Sequence, residues 1–522
     1  MQQNSLHAID YIIILVTLAI SLSFGAYFAR KQGSSARFFK GSGNIPSWVI
    51  GMSILATLIS SVTFLAYPGS GYSGTWILLV QGLMVPVVLL FLARFIVPLY
   101  RDVIGLSAYE YFEKRFGFYA RLYSSIGFML MHFSKMGTVF FLLSLALSNM
   151  MGMNAYLILW IVGITVIIIT MYGGIEAVIW LDLFQGLMLI GGGLVSILII
   201  VTSVPGGLSA IWTTASASNK TGFGPYDLNF TKLTFFVMVL NGIFYAIQKY
   251  GTDQTMVQRY LTAKSDKSAI KAAMIGVLLC VPVWALFMFI GTSLFSFYKI
   301  SGSPLPAGIK ADAIFPFFIM TQFPVGVVGL VIAALLSSAV ASLNADINCL
   351  SAIGVADYYT RFKKDATDIQ KLRMGKLFVV LSGLGALGVA TIYLVSGGEG
   401  ALKIVFTLYA IFSGGVAGLF LLGIFSKRAN KQGLYIGIVA CVLFTGYALL
   451  TSTKMDLGAG ERLLLDLGRF NFVHHNLMLG VYSHVVLFVV GWVASLFFPK
   501  REIDGNLTIY SYIDKRRKGE IK

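Results

Sequence analysis

Between Ala333 and Asp346, in a run otherwise made mostly of alanine, leucine and valine, Ser338, Ser342 and Asp346 stand four residues apart. At 3.6 residues per turn this spacing puts the three side chains on one face of a helix. A stripe of oxygens in an apolar segment suits a hard cation, since sodium, like calcium and magnesium, prefers oxygen ligands. It also suits a helix contact made through small residues, and Asp346 can lie at the cytoplasmic mouth.

Three further places put polar chemistry inside apolar runs. Ile54 to Phe64 leads into Pro68-Gly69-Ser70-Gly71. A helix broken there frees carbonyls that can hold a cation; the alternative is a proline-kinked helix whose hydroxyls bond their own backbone. Asp182, just after Trp180, is either an intramembrane cation ligand or an interfacial carboxylate at a helix N-terminus. Lys135, in the body of a run with His132, either snorkels to the cytoplasmic face or meets an anionic group of a substrate. Lys249 and Lys403 fall near run ends, where snorkelling is expected.

The elements that must position these residues are read from composition. Of 522 residues, 57% are hydrophobic and 12% charged, with a mean hydropathy of +0.82. That excludes a soluble enzyme and predicts an all-α polytopic membrane protein. About thirteen spans are expected, at 10–29, 47–69, 76–98, 122–150, 154–171, 181–202, 233–250, 271–297, 325–355, 376–396, 401–424, 432–451 and 478–498. No lysine or arginine precedes the first, so it reads as a retained span rather than a cleaved signal. The net charge of +17 comes from basic residues gathered in alternate loops, around 30–40, 94–121, 259–271, 361–376 and 427–431 and after Phe498. By the positive-inside rule these loops are cytoplasmic, the N-terminus is outside and the chain sits in the plasma (inner) membrane. Nucleic acid is not an expected partner. Cys280, Cys349 and Cys441 have no metal or disulfide spacing and read as buried packing residues. With no nucleotide-binding loop, zinc motif or nucleophile elbow, no enzyme activity is expected, and uphill transport must draw on an ion gradient.

The second span is interrupted at its Pro/Gly cluster. The seventh carries Leu240-Asn241-Gly242 in its upper half and Tyr250-Gly251-Thr252-Asp253-Gln254 at its end. Interrupted helices at matching positions mark inverted repeats and a midplane site. The expected organisation is 1–46 an extra helix and cytoplasmic loop, 47–202 a first repeat and 203–232 an external loop. A second repeat follows at 233–424, then two additional helices at 425–498 and a basic cytoplasmic tail at 499–522.

From about Asp10 to Lys500 the chain resembles the sodium/solute symporters, carriers of sugars, proline, sialic acid, vitamins and iodide. The likeness rests on Ile59-Ser60-Ser61-Val62-Thr63-Phe64-Leu65 through Tyr72, Tyr172-Gly173-Gly174 through Asp182, and Gly251-Thr252-Asp253-Gln254 through Leu261. It extends to Ala333-Ala334-Leu335 through Asn348 with Ala356-Asp357-Tyr358-Tyr359, and to Phe420-Leu421-Leu422-Gly423-Ile424-Phe425. The resemblance implies a five-plus-five inverted repeat (LeuT-like) with broken first helices, and sodium (Na+) as coupling ion. It implies a sodium site of the Ala56, Ile59 and Ser338 carbonyls and the Ser342 hydroxyl; Ala341 stands where the family often has a second hydroxyl. Some members hold a second sodium with a carboxylate at the position of Asp182 and hydroxyls further on. Here those positions read Asn344 and Ala345, which leaves a second ion dependent on Asp346.

For substrate, the sialic acid carriers of the family imply Ser60, Thr63 and Gln81, with Lys135 where they have an arginine. Lysine keeps the charge but loses the bidentate fork. The family's sugar carriers have polar residues where this chain has Val62, Thr63 and Phe406, which favours a carboxylated sugar such as sialic acid over a neutral sugar or polyol. A transporter-like sensor or a channel is the remote alternative: the stretch after Phe498 is short for a signalling domain, and no charge ring or filter motif is present. The expected partners are a small-molecule solute and the lipid bilayer, with a monomer as the working unit.

Overall fold

The computed structural model describes residues 6–30, 32–396, 414–456, 461–500, 503 and 507–518. The described chain is almost wholly helical, because in hydrocarbon every backbone N–H and C=O must find its partner within its own segment. The N-terminal elements are α1 (Ala8–Ala29), α2 (Ser35–Lys40), α3 (Ser47–Leu58), α4 (Ser61–Ser73), α5 (Ile77–Val103), α6 (Glu110–Phe116), α7 (Phe118–Met151) and α8 (Ala155–Ser203). Then come α9 (Gly207–Ala217), α10 (Phe235–Gly251), α11 (Gln254–Thr262), α12 (Asp266–Ser301), α13 (Ala311–Gln322) and α14 (Val327–Ile353). After α14 a π turn (Gly354–Tyr359) leads to α15 (Thr360–Phe362), α16 (Asp368–Val395), α17 (Val416–Phe425), α18 (Lys431–Ser452), α19 (Asn476–Ser495) and α20 (Ile509–Arg517).

Nine helices among the described residues are long and apolar enough to cross a membrane, and α3 with α4, bent by 61° at their junction, adds one more. The 49 residues of α8 count as two spans. A straight helix of that length would reach about 74 Å against a hydrocarbon core of ~30 Å. It bends at Gly174, whose φ of 59° is open to glycine and strained for other residues. The gap expected at 172–180 is therefore a kink rather than a loop, and Asp182 lies two turns inside a helix instead of at its start. The expected thirteen stands at eleven full-length spans among the described residues, with α10 (17 residues) and α17 (10 residues) as shorter helices. Lys403, Phe406 and the first part of the 401–424 span lie outside the described residues.

Of the two interruptions flagged in the seventh span, only the lower one breaks the helix. α10 runs straight through Leu240-Asn241-Gly242, and Gly242 is there for close approach: a Cβ would come within 3.0 Å of Gln81 on α5. The break comes at Thr252-Asp253, where Asp253 caps α11.

The organising element is α14. Of its most apolar stretch 89% of residues are buried, against 28% for α1. This is why small residues dominate its sequence, since helices must approach it from every side. The extra N-terminal helix is bolted to it, with Asp10 Oδ1 accepting from the N–H groups of Gly326 and Gly329 at 2.8 Å each, at the start of α14. The two long loops expected to be external are not plain connectors, for they fold into α9 and α13. Nor is the front of the basic tail free: the Leu507 carbonyl accepts from Tyr111 at 2.9 Å.

Candidate functional site

At the break between α3 and α4, Ile59 (φ −98°, ψ 104°) and Ser60 (φ −108°, ψ −178°) are extended. A helix that stops here leaves its last carbonyls without intrahelical N–H partners. The Ser60 hydroxyl caps the new start, accepting from Val62 N–H at 3.3 Å. On the facing surface of α14, the Ser342 hydroxyl reaches the Thr57 carbonyl at 3.4 Å, and Ser338 bonds its own helix at Leu335 O, 2.8 Å. Ala56, Ile59, Ser338, Ala341 and Ser342 are all buried. The structure thus brings the upper part of the serine stripe to the carbonyl end of the broken helix, in a buried setting.

The lower part of the stripe meets charge. Asp346, 1% exposed, lies 2.9 and 3.1 Å from Lys135 Nζ and 2.9 Å from His132 Nδ1, the last contact close but angled off a hydrogen-bond line. His132 Nε2 is in turn 3.2 Å from Asp253, and Phe128 stacks on its ring at 3.8 Å. Asp253 takes Lys249 Nζ at 2.7 Å. Lys249 is therefore an internal ion-pair partner rather than a snorkelling side chain, and its ammonium also donates to Thr255 at 3.1 Å. Lys135 likewise points inward to a carboxylate, with 30% of its side chain exposed.

Asp182 belongs to a different assembly. Wholly buried, its Oδ2 lies 2.9 Å from Arg259 Nη2 and accepts from Ser53 at 2.5 Å. Arg259 also donates to Ser53 Oγ and to the Thr255 carbonyl, at 2.8 Å each. The interfacial reading of Asp182 is overturned by this burial. Its other oxygen, Oδ1, has no hydrogen-bond partner among the described residues. Asn344 accepts from Thr170 at 2.8 Å and leaves its amide nitrogen unpartnered. The structure does not gather Asp182, Asn344 and Asp346 around one point of shared contacts; each has its own partners.

Of the substrate candidates, Ser60 and Thr63 are buried on α4 and its cap, and Gln81 is half-buried on α5 where Gly242 crosses it. Sequence reasoning assigned no role to Asp253 or Arg259 and left His132 without partners. All of α11 but Leu261 is buried, including Gln254, Gln258 and Arg259. The available signal was that polar density: a short segment carrying two amides and a guanidinium beside membrane spans needs internal partners.

The chain as a whole has counterparts among known proteins. The model of the sodium:solute symporter family matches residues 38–440. The sodium/sialic acid symporter SiaT of Proteus mirabilis is 34% identical over 448 residues, covering 85% of this chain and 90% of that protein. The sodium/sialic acid symporter NanT of Aliivibrio fischeri is also 34% identical, over 85% of this chain and 88% of its own. A solved substrate-bound, outward-open structure of a Na+-coupled sialic acid symporter superposes with a TM-score of 0.85 at 30% identity, covering 95% of this chain and 99% of that one. The chain belongs to the sodium:solute symporter family.

Proposed function

We propose that this chain is a sodium-coupled secondary active symporter that imports a carboxylated sugar such as sialic acid by alternating access. The observation that carries the reading is the meeting of the Ser342 hydroxyl with the carbonyl end of α3. A sodium ion between the carbonyls of Ala56, Ile59 and Ser338 and the hydroxyl of Ser342 ties α14 to the broken helix. Because it binds the joined arrangement and not the parted one, it shifts the population towards the outward-open carrier. Ala341 offers no hydroxyl, so water completes the shell. A second sodium has the open Oδ1 of Asp182 and little else, since the oxygens of Asp346 face Lys135 and His132.

The solute carboxylate meets Lys135 on α7, and Ser60, Thr63 and Gln81 take its polar remainder; Phe406, also expected at the substrate, lies outside the described residues. The two relatives at 34% identity, named as sialic acid symporters, support this choice. A neutral sugar or polyol is the second reading, favoured by one observation: Lys135 already has a counter-ion in Asp346. The carrier works as a monomer in the inner membrane, with the N-terminus outside and the C-terminus cytoplasmic, as the basic loops favour.

The test is uptake of labelled N-acetylneuraminate and labelled galactose into proteoliposomes under an inward sodium gradient, with potassium and proton gradients as controls. Sodium-driven accumulation of N-acetylneuraminate alone is the expected result. Galactose alone would replace the substrate and keep the symporter, and accumulation under the proton gradient alone would replace the coupling ion.

A further inference from the structure

Lys135 and Asp346 form an ion pair between α7 and α14, but the two partners are not alike. Asp346 is 1% exposed and is held from a second side by His132, whereas 30% of the Lys135 side chain remains exposed. The lysine is thus the movable member: it has a long flexible stem, three donors and one carboxylate partner. When Lys135 swings away, Asp346 still has the His132 ring beside it, with Nδ1 at 2.9 Å and free to turn onto the carboxylate. That matters because stripping a buried carboxylate of all partners costs several kcal/mol.

The groups around the pair fit an exchange. Lys249 is committed to Asp253 and Thr255, and Arg259 to Asp182, Ser53 and Thr255. Of these three buried-site cations Lys135 has the most open side chain, 30% exposed against 11% for Lys249 and 0% for Arg259. We propose that Asp346 is a resident stand-in for the solute carboxylate: it occupies Lys135 in the carrier without solute, and the incoming carboxylate displaces it. Asp346 then sets affinity and selectivity without touching the solute, which makes it a positioning residue. The inference rests on the reading that Lys135 receives the carboxylate.

Two consequences follow from a competition of this kind. Solute affinity is reduced by whatever Asp346 holds in the ground state, so removing its charge tightens binding. The solute-free carrier is internally neutral at this pair, so removing the charge also exposes an unpaired lysine during the empty return step. That return then becomes slow, because an isolated charge is costly to carry through a low-dielectric interior.

The experiment measures N-acetylneuraminate binding to the purified full-length carrier in saturating sodium for wild type, Asp346→Asn, Lys135→Gln and the double variant. It then compares net uptake with solute exchange in proteoliposomes. Asp346→Asn is expected to bind roughly tenfold more tightly, the scale of one close charge coupling, with exchange retained and net uptake slowed. In the Lys135→Gln background, Asp346→Asn is expected to change nothing. If Lys135→Gln leaves binding intact, the assignment of the carboxylate to Lys135 fails and this inference with it. If Lys135→Gln abolishes binding while Asp346→Asn binds no more tightly than wild type, the assignment stands and the stand-in role is overturned. Should Asp346→Asn not fold, Asp346→Glu moves the carboxylate by one methylene. A change in solute affinity with sodium affinity unmoved then supports the exchange, and no change in either overturns it.

Discussion

Two buried ionic assemblies lie side by side in this carrier and are built on opposite plans. Asp182 and Arg259 are both wholly buried, and the guanidinium's other hydrogen bonds go to Ser53 and Thr255. That is a closed clamp across α3, α8 and α11. The chain from Lys135 through Asp346, His132 and Asp253 to Lys249 is open, with its Lys135 end partly exposed. They touch at Thr255, whose carbonyl serves Arg259 and whose hydroxyl serves Lys249. Arginine's planar fork suits a fixed, multiply bonded joint, and lysine's flexible point charge suits a partner that changes. Identical net chemistry, one acid against one base, can therefore be structural in one place and exchangeable a few turns away.

The largest expected effect tests the closed half. Arg259→Gln leaves Asp182 buried without a cation and is expected to lower stability by about 3–5 kcal/mol, read as unfolding of the detergent-solubilised protein. Asp182→Asn added to it should restore a large part. Wild-type stability in the single variant would break the distinction at its stronger end.

Next comes the proposed sodium site at Ser342, outside both assemblies. Ser342→Ala is expected to raise the sodium concentration for half-maximal uptake roughly tenfold, the worth of one hydrogen-bonding group to a charged partner, while leaving sodium-free stability unchanged. An unchanged sodium dependence would remove Ser342 from the site.

Lys135→Gln should cost about 1 kcal/mol of stability or less, since the lysine is partly exposed and His132 stays beside Asp346. A loss as large as that of Arg259→Gln would make the two assemblies alike. The smallest effect is expected where a buried carboxylate has amides instead of cations. Asp10→Asn keeps an acceptor for Gly326 and Gly329, so a loss of a few tenths to about 1 kcal/mol in unfolding is expected.

The legible part of the fold was whatever depends on neighbours in sequence. The Ser338/Ser342/Asp346 face and most span positions follow from local hydropathy and helix period. An interruption of the second span was expected at Pro68-Gly69-Ser70-Gly71, but that cluster lies inside α4 and the helix breaks at Ile59-Ser60. The misread parts had contacts behind them. Gly242 looked like a helix breaker and is a contact point for α5. The stretch 172–180 looked like a loop and is a bend at one glycine. Lys249 looked free to snorkel and is paired.

What the sequence determined by itself is the class of molecule, because a membrane-spanning helix is a local solution to a local problem of backbone polarity and apolar side chains. Which charges neutralise each other was decided only by the tertiary structure. Asp182 meets Arg259 across 77 residues, and Lys135 meets Asp346 across 211. No period or spacing carries such information, since a charge buried in a low-dielectric interior is governed by which oppositely charged group packing brings within a few ångströms.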